Sequence, residues 1–153
     1  MAEPWREPVL GPCSCTGLRR ASRAVTAFYD GMLAPAGLTV TQYAILVNVA
    51  RAGAISRTEL AARLGMDRTT ATRNLRPLER EGLLTDQAGE DRRERAVALT
   101  AAGRRRMEKG FVLWERAQTA FAEALGEDAL GRLRAVLAEV GEAARKVGEG
   151  ESR

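Results

Sequence analysis

Residues 66–80, MDRTTATRNLRPLER, predict a short helix with two chemically different faces. Ala71, Leu75 and Leu78 recur at spacings of four and three residues, which is the pattern of a helix with one buried face. Threonine is an indifferent helix former, so helix stability does not explain the polar side chains on the opposite side. That polar side carries Arg68, Thr69, Thr72, Arg73 and Arg76.

A proline near the end of this helix is its second unusual feature. Pro77 lacks a backbone donor, and an interior proline costs an isolated helix about 3 kcal/mol. Because Pro77 follows the polar residues of the first two turns, any bend would fall where the helix ends. Two interpretations stay open, a functional bend and a tolerated kink in a surface helix.

The preceding residues predict a second short helix. The stretch ISRTELAARLG, residues 55–65, has Ser56 followed three residues later by Glu59, the spacing of a reciprocal capping box. Gly65 ends this helix, and Asp67 caps the polar-faced helix that follows. Two short helices joined by a tight turn form a helix-turn-helix candidate.

After Gly82 the periodicity changes from helical to alternating, which predicts a β-hairpin over residues 83–100. Its tip is charged and longer than a tight turn needs. Asp91 is expected to hold the guanidinium of Arg93 or Arg95. If the helix-turn-helix binds duplex DNA, Arg92 and Arg93 are expected to project toward the minor groove. Since four acids accompany three arginines here, a solvated charged turn is the alternative.

Amphipathic helices flank this central part on both sides. The N-terminal side has two, over about residues 18–33 and 39–53, and two long helices follow residue 100. The last one has a heptad-like apolar stripe that suits packing against another long helix. Its members are Leu130, Leu133, Leu137, Val140, Ala144 and Val147.

Composition excludes several classes of function. The 153 residues carry a net charge of +4, with 24 basic residues of which only Lys109 and Lys146 are lysine. Histidine is absent, which excludes His-ligated metals and Ser/His or Cys/His catalytic pairs. We therefore expect no metal and no cofactor. Two cysteines two positions apart fit a reducing cytoplasm, and the first twelve residues resemble neither a signal peptide nor a membrane anchor.

The stretch SRTELAARLGMDRTTATRNLRPLEREGLL, continued by DRRERAVALT, resembles the core of the MarR family of bacterial transcriptional regulators. The resemblance implies that Thr72 and Arg73 face DNA, and that Arg93 is the wing arginine with Asp91 as its partner. It also implies a homodimer formed by the first and last helices. The expected organisation is a flexible arm at 1–15, a helical dimerisation region at 16–35 and 100–148, and a winged helix-turn-helix at 36–99.

A further resemblance concerns the signal that such a regulator answers. Organic-hydroperoxide sensors of this family, known as OhrR, carry a reactive cysteine eight residues before the arginine of an S-R pair, as Cys15 stands before Arg23. Tyr29 matches one of their thiolate-binding tyrosines, but Arg19 and Val40 replace two others. One alternative is that Cys15 is a small structural residue.

Another alternative is the effector mode common in the family. A small aromatic or anionic effector would then enter a cleft between the dimerisation and DNA-binding parts, lined by Tyr29, Tyr43 and Arg19.

The sequence thus predicts a mainly α protein with a small β-hairpin wing. Its predicted function is that of a cytoplasmic, non-enzymatic, homodimeric repressor of a pseudo-palindromic operator, with no membrane partner, released by an effector or an organic hydroperoxide. Two rival hypotheses are a winged helix that binds proteins and a peroxidase that uses Cys15. The predicted DNA-binding residues are Ser56, Arg57, Arg68, Thr69, Thr70, Thr72, Arg73, Arg76, Asp91, Arg92 and Arg93.

Overall fold

The computed structural model describes residues 13–88 and 95–150. These residues belong to two compact units, one ending at Trp114 and one beginning at Glu115. The elements in chain order are α1 (Ser14–Leu33), a 3-10 turn (Ala34–Ala36), α2 (Val40–Ala52), β1 (Ala54–Ser56), α3 (Arg57–Arg63), α4 (Arg68–Arg80), β2 (Leu84–Ala88), β3 (Arg95–Leu99), α5 (Ala101–Leu125) and α6 (Glu127–Gly150).

The fold is mainly α with a small antiparallel sheet, as the sequence predicted. Helix α1 begins at Ser14, inside the segment that was expected to be a flexible arm. It ends at Leu33, and the 3-10 turn that follows contains Pro35, whose missing donor does not suit a continuing α-helix. Helix α4 runs through Pro77 to Arg80 without interruption.

The sheet has one strand more than the predicted hairpin. Strand β1 pairs with β3, and β3 pairs with β2, so the order is β1-β3-β2 with every pair antiparallel. In this register Ile55 lies opposite Val97, which in turn lies opposite Asp86. Three residues are too few to show an alternating pattern, so β1 cannot be identified from the sequence alone.

The core of the first unit lies among the end of α1, α2, α3, α4 and the sheet. Its fully buried side chains come from each of these elements, so burial holds the two short helices against the sheet. The largest are Leu33, Ile45, Leu46, Val49, Leu60, Leu75, Leu78 and Val97.

Two helix starts differ from expectation in their capping. The amide of Glu59 donates to Ser56 Oγ at 3.1 Å, but the Glu59 carboxylate accepts from Arg63 at 2.7 Å instead of returning to Ser56. The predicted capping box is therefore only half formed, because an arginine one turn ahead competes for the acid. A complete box occurs at Thr39 and Gln42, which the sequence analysis missed.

The start of α5 contacts the turn between α4 and β2. Thr100 Oγ1 donates to the carbonyl oxygen of Gly82 at 2.6 Å and accepts from the amide of Gly103 at 3.0 Å. A Cβ atom at Gly103 would lie 2.0 Å from the carbonyl oxygen of Leu83, so this crossing requires glycine. Farther along, a Cβ at Gly110 would press on Tyr43 of α2 at 3.0 Å. Helix α5 therefore packs closely against α2 and against Leu83, in the turn between α4 and β2.

The second unit consists of the end of α5 and helix α6, whose predicted apolar stripe is largely exposed. Leu137 and Val140 are 49% and 38% exposed, and Val147 is 64% exposed. No single helix among the described residues is long and apolar enough to cross a membrane, and α1 with α2 meets that test only as a bent pair.

Candidate nucleic-acid interface

Helix α4 is the second helix of a helix-turn-helix, and a short capped turn sets its position. Gly65 adopts a positive φ of 62° after α3, and the Met66 amide donates to the carbonyl oxygen of Ala61 at 2.9 Å. Asp67 then caps α4, since its Oδ1 accepts from the Thr70 amide at 2.8 Å. The hydroxyl and amide of Thr70 hold the pKa of the Asp67 carboxyl below its ordinary value.

The two faces of α4 have opposite environments, as predicted. Ala71, Leu75 and Leu78 are buried, with Leu75 and Leu78 fully inaccessible. The opposite side is an open polar surface, which we call the recognition face. It consists of Arg68, Thr69, Thr72, Arg73 and Arg76.

Hydrogen bonds within α4 decide what its threonines offer. The Thr70 hydroxyl donates to Asp67 Oδ2 at 2.6 Å, so its proton is used by the cap. The Thr72 hydroxyl donates to the carbonyl oxygen of Arg68 at 2.9 Å, which leaves its methyl group and an oxygen lone pair available. Thr72 therefore has the groups that contact thymine methyls and base amines, as the prediction for this residue requires.

The arginines of the recognition face are uncompensated. Within residues 13–88 and 95–148, no carboxylate forms an ion pair with Arg68, Arg73 or Arg76. Their guanidinium groups thus keep their full positive charge and their donors for an external anion. A polyanion such as a nucleic-acid backbone fits this surface.

The remaining predicted DNA-binding residues have different surroundings. Ser56 uses its oxygen to cap α3. Arg57 pairs with two acids, Glu79 at 2.7 Å and Asp86 at 2.8 Å. Burial alone lowers the pKa of Arg57, but the hydrogen bond to Asp86 and the negative charges of both acids outweigh it and raise that pKa.

The hairpin tip, with Asp91, Arg92 and Arg93, lies outside the described residues. The sequence analysis also named Arg95 as a possible partner of Asp91. In the structure Arg95 Nη1 lies 3.3 Å from Asp86 Oδ2. An arginine at the base of the hairpin therefore pairs within the sheet, and the predicted pairing of Asp91 with Arg93 stays a prediction.

A cavity of about 560 Å³ opens between α2 and the first part of α5. Its wall is mainly apolar and aromatic. The ring centroids of Tyr43 and Trp114 are 6.0 Å apart, and Phe111 stacks on Trp114 with the ring centroids 6.2 Å apart. Arg51 and Glu108 contribute charged groups to its lining. The sequence analysis missed Phe111 and Trp114 as site residues because their helical spacing also suits a core.

Only one of the three predicted cleft residues lines this cavity. Tyr43 does so, while Tyr29 is buried against Phe28 on α1 and Arg19 is exposed on α1. Since Cys15 and Tyr29 are fourteen positions apart on one helix, their Cα atoms are about 21 Å apart. A single chain therefore does not bring Cys15 and Tyr29 together.

Both cysteines are free and exposed at the start of α1. Cys13 occupies the N-cap position without forming a capping hydrogen bond. The amide and hydroxyl of Thr16 and the amide of Cys15 nevertheless lower the pKa of the Cys13 thiol. No group of three or more candidate metal ligands occurs in the described part of the chain.

Comparison with known proteins gives consistent matches. Residues 36–94 match the family model described as MarR family. The M. tuberculosis transcriptional regulator MosR, solved in complex with DNA, is 38% identical with a TM-score of 0.79, covering 88% of this chain and 98% of that one. The transcriptional repressor CouR, bound to a 23-mer DNA duplex, is 28% identical with a TM-score of 0.76, covering 84% and 92%.

Among sequence relatives, the helix-turn-helix type regulator YwoH of Bacillus subtilis is 27% identical over 92 residues. That alignment covers 60% of this chain and 67% of YwoH.

Proposed function

Because this chain belongs to the MarR family of transcriptional regulators, we propose that it is a homodimeric repressor that binds a pseudo-palindromic duplex operator. As a member of that family it is a regulator and not an enzyme. The observation that carries the proposal is the recognition face of α4, with its uncompensated arginines on the second helix of a helix-turn-helix. MosR and CouR, two relatives of the same fold, were solved with DNA.

In this proposal α4 lies in the major groove. Arg73 donates to guanine or to a phosphate, and the methyl and oxygen of Thr72 contact base edges. Arg68 and Arg76 neutralise backbone phosphates on either side of these contacts. For Arg92 and Arg93, which lie outside the described residues, we propose a contact with the adjacent minor groove.

The exposed apolar stripe of α6 supports a homodimer. Leu137 and Val140 have about half to two fifths of their surface in water, which is unfavourable for side chains on one continuous stripe. A second copy of the same helix would cover them through a two-fold interface. Two-fold symmetry of the protein in turn requires an operator with two related half-sites.

For release from DNA, we favour a small aromatic or anionic effector in the cavity between α2 and α5. Tyr43, Phe111 and Trp114 provide aromatic surface, and Arg51 provides a cation for a carboxylate. The cavity volume of about 560 Å³ suits a compound of one or two rings. Benzoate is a suitable probe, because quenching of Trp114 would report its binding once Trp5 is replaced by phenylalanine.

Oxidation of the cysteines is the second candidate signal, favoured by the lowered pKa of Cys13. The Cys13 thiolate would attack a hydroperoxide oxygen, and the O–O bond would break to release an alcohol after protonation. The resulting sulfenic acid would condense with the thiol of Cys15 or of a second copy, forming a disulfide and releasing water.

By this proposal the protein acts in the cytoplasm. The deciding experiment is a binding titration of the full chain against its own upstream DNA. We expect tight binding that weakens steeply with salt, whereas a protein-binding winged helix would show no salt-dependent affinity for duplex DNA. The titration is repeated with benzoate, with an organic hydroperoxide, and with Cys13→Ser and Cys15→Ser. If hydroperoxide still releases DNA from both variants, the thiol mechanism is wrong.

A further inference from the structure

Arg57 was predicted to contact DNA, but its side chain joins three elements of the protein. It is the first residue of α3 and follows β1 directly. Its Nη2 lies 2.7 Å from Glu79 Oε1 on α4 and 2.8 Å from Asp86 Oδ1 on β2. Arg95 of β3 adds a contact to Asp86 Oδ2 at 3.3 Å. We call these four residues the Arg57 cluster.

The cluster spans the sheet as well as the helices. Strand β3 separates β1 from β2, and neighbouring strands lie about 4.8 Å apart, so Arg57 at the end of β1 extends across the central strand to Asp86. The same guanidinium nitrogen contacts the last turn of α4 through Glu79. One side chain thus ties the wing to the recognition helix.

Charge and burial argue against a direct role of Arg57 on DNA. Two arginines and two carboxylates make the cluster formally neutral, in contrast to the uncompensated recognition face. The side chains of Arg57 and Glu79 are each only 29% exposed. Glu79 Oε1 is shielded from solvent and accepts no hydrogen bond of good geometry from the described residues, so the nearby Arg57 charge compensates it. The positive charge of this guanidinium is already balanced by two carboxylates, which weakens its attraction for a phosphate.

We infer that Arg57 is a positioning residue whose ion pairs with Glu79 and Asp86 fix the wing relative to recognition helix α4. The inference rests on the proposed function, because the wing position matters for DNA only if α4 and the wing bind one duplex together. Two grooves are contacted at once only when the two elements keep one relative placement. Loss of the cluster should therefore affect the outer minor-groove contacts more than the central major-groove contacts.

The test compares Arg57→Gln, Asp86→Asn and the double variant in operator titrations and hydroxyl-radical footprints. Arg63→Gln is the matched control, since Arg63 is on the same helix and its one ion pair among the described residues is with Glu59, on an exposed surface. Positioning predicts that Arg57→Gln and Asp86→Asn each weaken binding by about tenfold and that the double variant is little worse, as for coupled neighbours. Protection of the outer minor grooves should be lost, while central protection remains.

Asp86→Asn gives the clearest distinction. A positioning role predicts that this variant binds DNA more weakly, whereas a pure charge effect predicts that it binds more tightly. Removing a negative charge from a DNA-binding surface should strengthen binding if charge alone matters. If Arg57 contacted a phosphate independently of the wing, the effect of Arg57→Gln would add to that of Asp86→Asn. Stronger binding by Asp86→Asn, or additive losses, would overturn the positioning role.

Hydrogen exchange of the free protein tests the cluster independently of DNA. Arg57→Gln should speed exchange of the β2 amides, residues 84–88, while Arg63→Gln should not. Unchanged exchange at β2 would also overturn the inference. Failure of the proposed function is distinguishable, since in that case the unaltered chain would bind no duplex.

Discussion

Helices α4 and α6 have the same kind of apolar stripe but opposite surroundings. On α4, Leu75 and Leu78 are fully inaccessible, whereas on α6 Leu137 and Val140 are 49% and 38% exposed. The apolar contacts of α4 are completed within the chain, so the surface it leaves open is polar and rich in arginine. The stripe of α6 is left largely uncovered and fits a second copy. Periodicity shows that a helix has an apolar face, and only the tertiary contacts show what covers that face.

The largest effect is expected where the α6 stripe is disrupted. Leu137→Asp would place a carboxylate in an apolar two-fold interface, at a cost of about 1–3 kcal/mol for each copy. We expect sedimentation to show monomers at concentrations where the unaltered chain is a dimer. The matched control is Ala135→Asp, which adds the same charge on the exposed opposite side of α6. If Leu137→Asp stays dimeric, the stripe is not the interface.

The corresponding disruption of α4 acts on folding rather than on assembly. Leu75→Ala leaves a cavity in the core and should reduce the free energy of unfolding by about 2–5 kcal/mol. Denaturant unfolding measures this change. Leu75→Met, which conserves volume, should cost less than about 1.5 kcal/mol. Equal losses for both variants would mean that the buried face of α4 is less closely packed than its inaccessibility implies.

On the open face of α4, one arginine tests the role of the recognition face. Arg73→Ala should weaken operator binding by about 1–3 kcal/mol and relax the preference at one base position, without changing stability. Binding titrations against the operator and against single-base variants of it measure both effects. Arg132→Ala removes an equal charge from the exposed surface of α6 and should have little effect. An unchanged affinity of Arg73→Ala would show that this face does not bind the operator.

Local patterns were enough to predict most of this architecture. The buried face at Leu75 and Leu78, the cap at Asp67 and the exposed recognition face all depend on residues within a few positions of one another. Most of the features that were missed depend on long-range contacts, and the capping box at Thr39 and Gln42 is the local exception. Strand β1 is defined only by its pairing with β3.

The role of Arg57 was missed for the same reason, since it depends on acids that are remote in sequence. The cavity between α2 and α5 likewise joins segments far apart in the chain. An arginine in a sequence can therefore be assigned to DNA or to the protein only when its acidic neighbours in space are known.

The smallest expected effect concerns the N-terminus of α4. A change of pH should weaken the Asp67 cap there without affecting the packing of the buried face. Hydrogen bonds from the hydroxyl and amide of Thr70 lower the pKa of Asp67 in the folded state. The cap therefore stabilises α4 fully above the ordinary aspartate pKa of about 4, and this contribution is lost as pH falls through the lower folded value. Exchange of the Thr70 amide should accelerate over that range, while amides beside Leu75 stay protected by burial. Asp67→Asn keeps the acceptor but cannot titrate, so its Thr70 exchange should lack this step. If the step persists in Asp67→Asn, an acid other than Asp67 controls the start of α4.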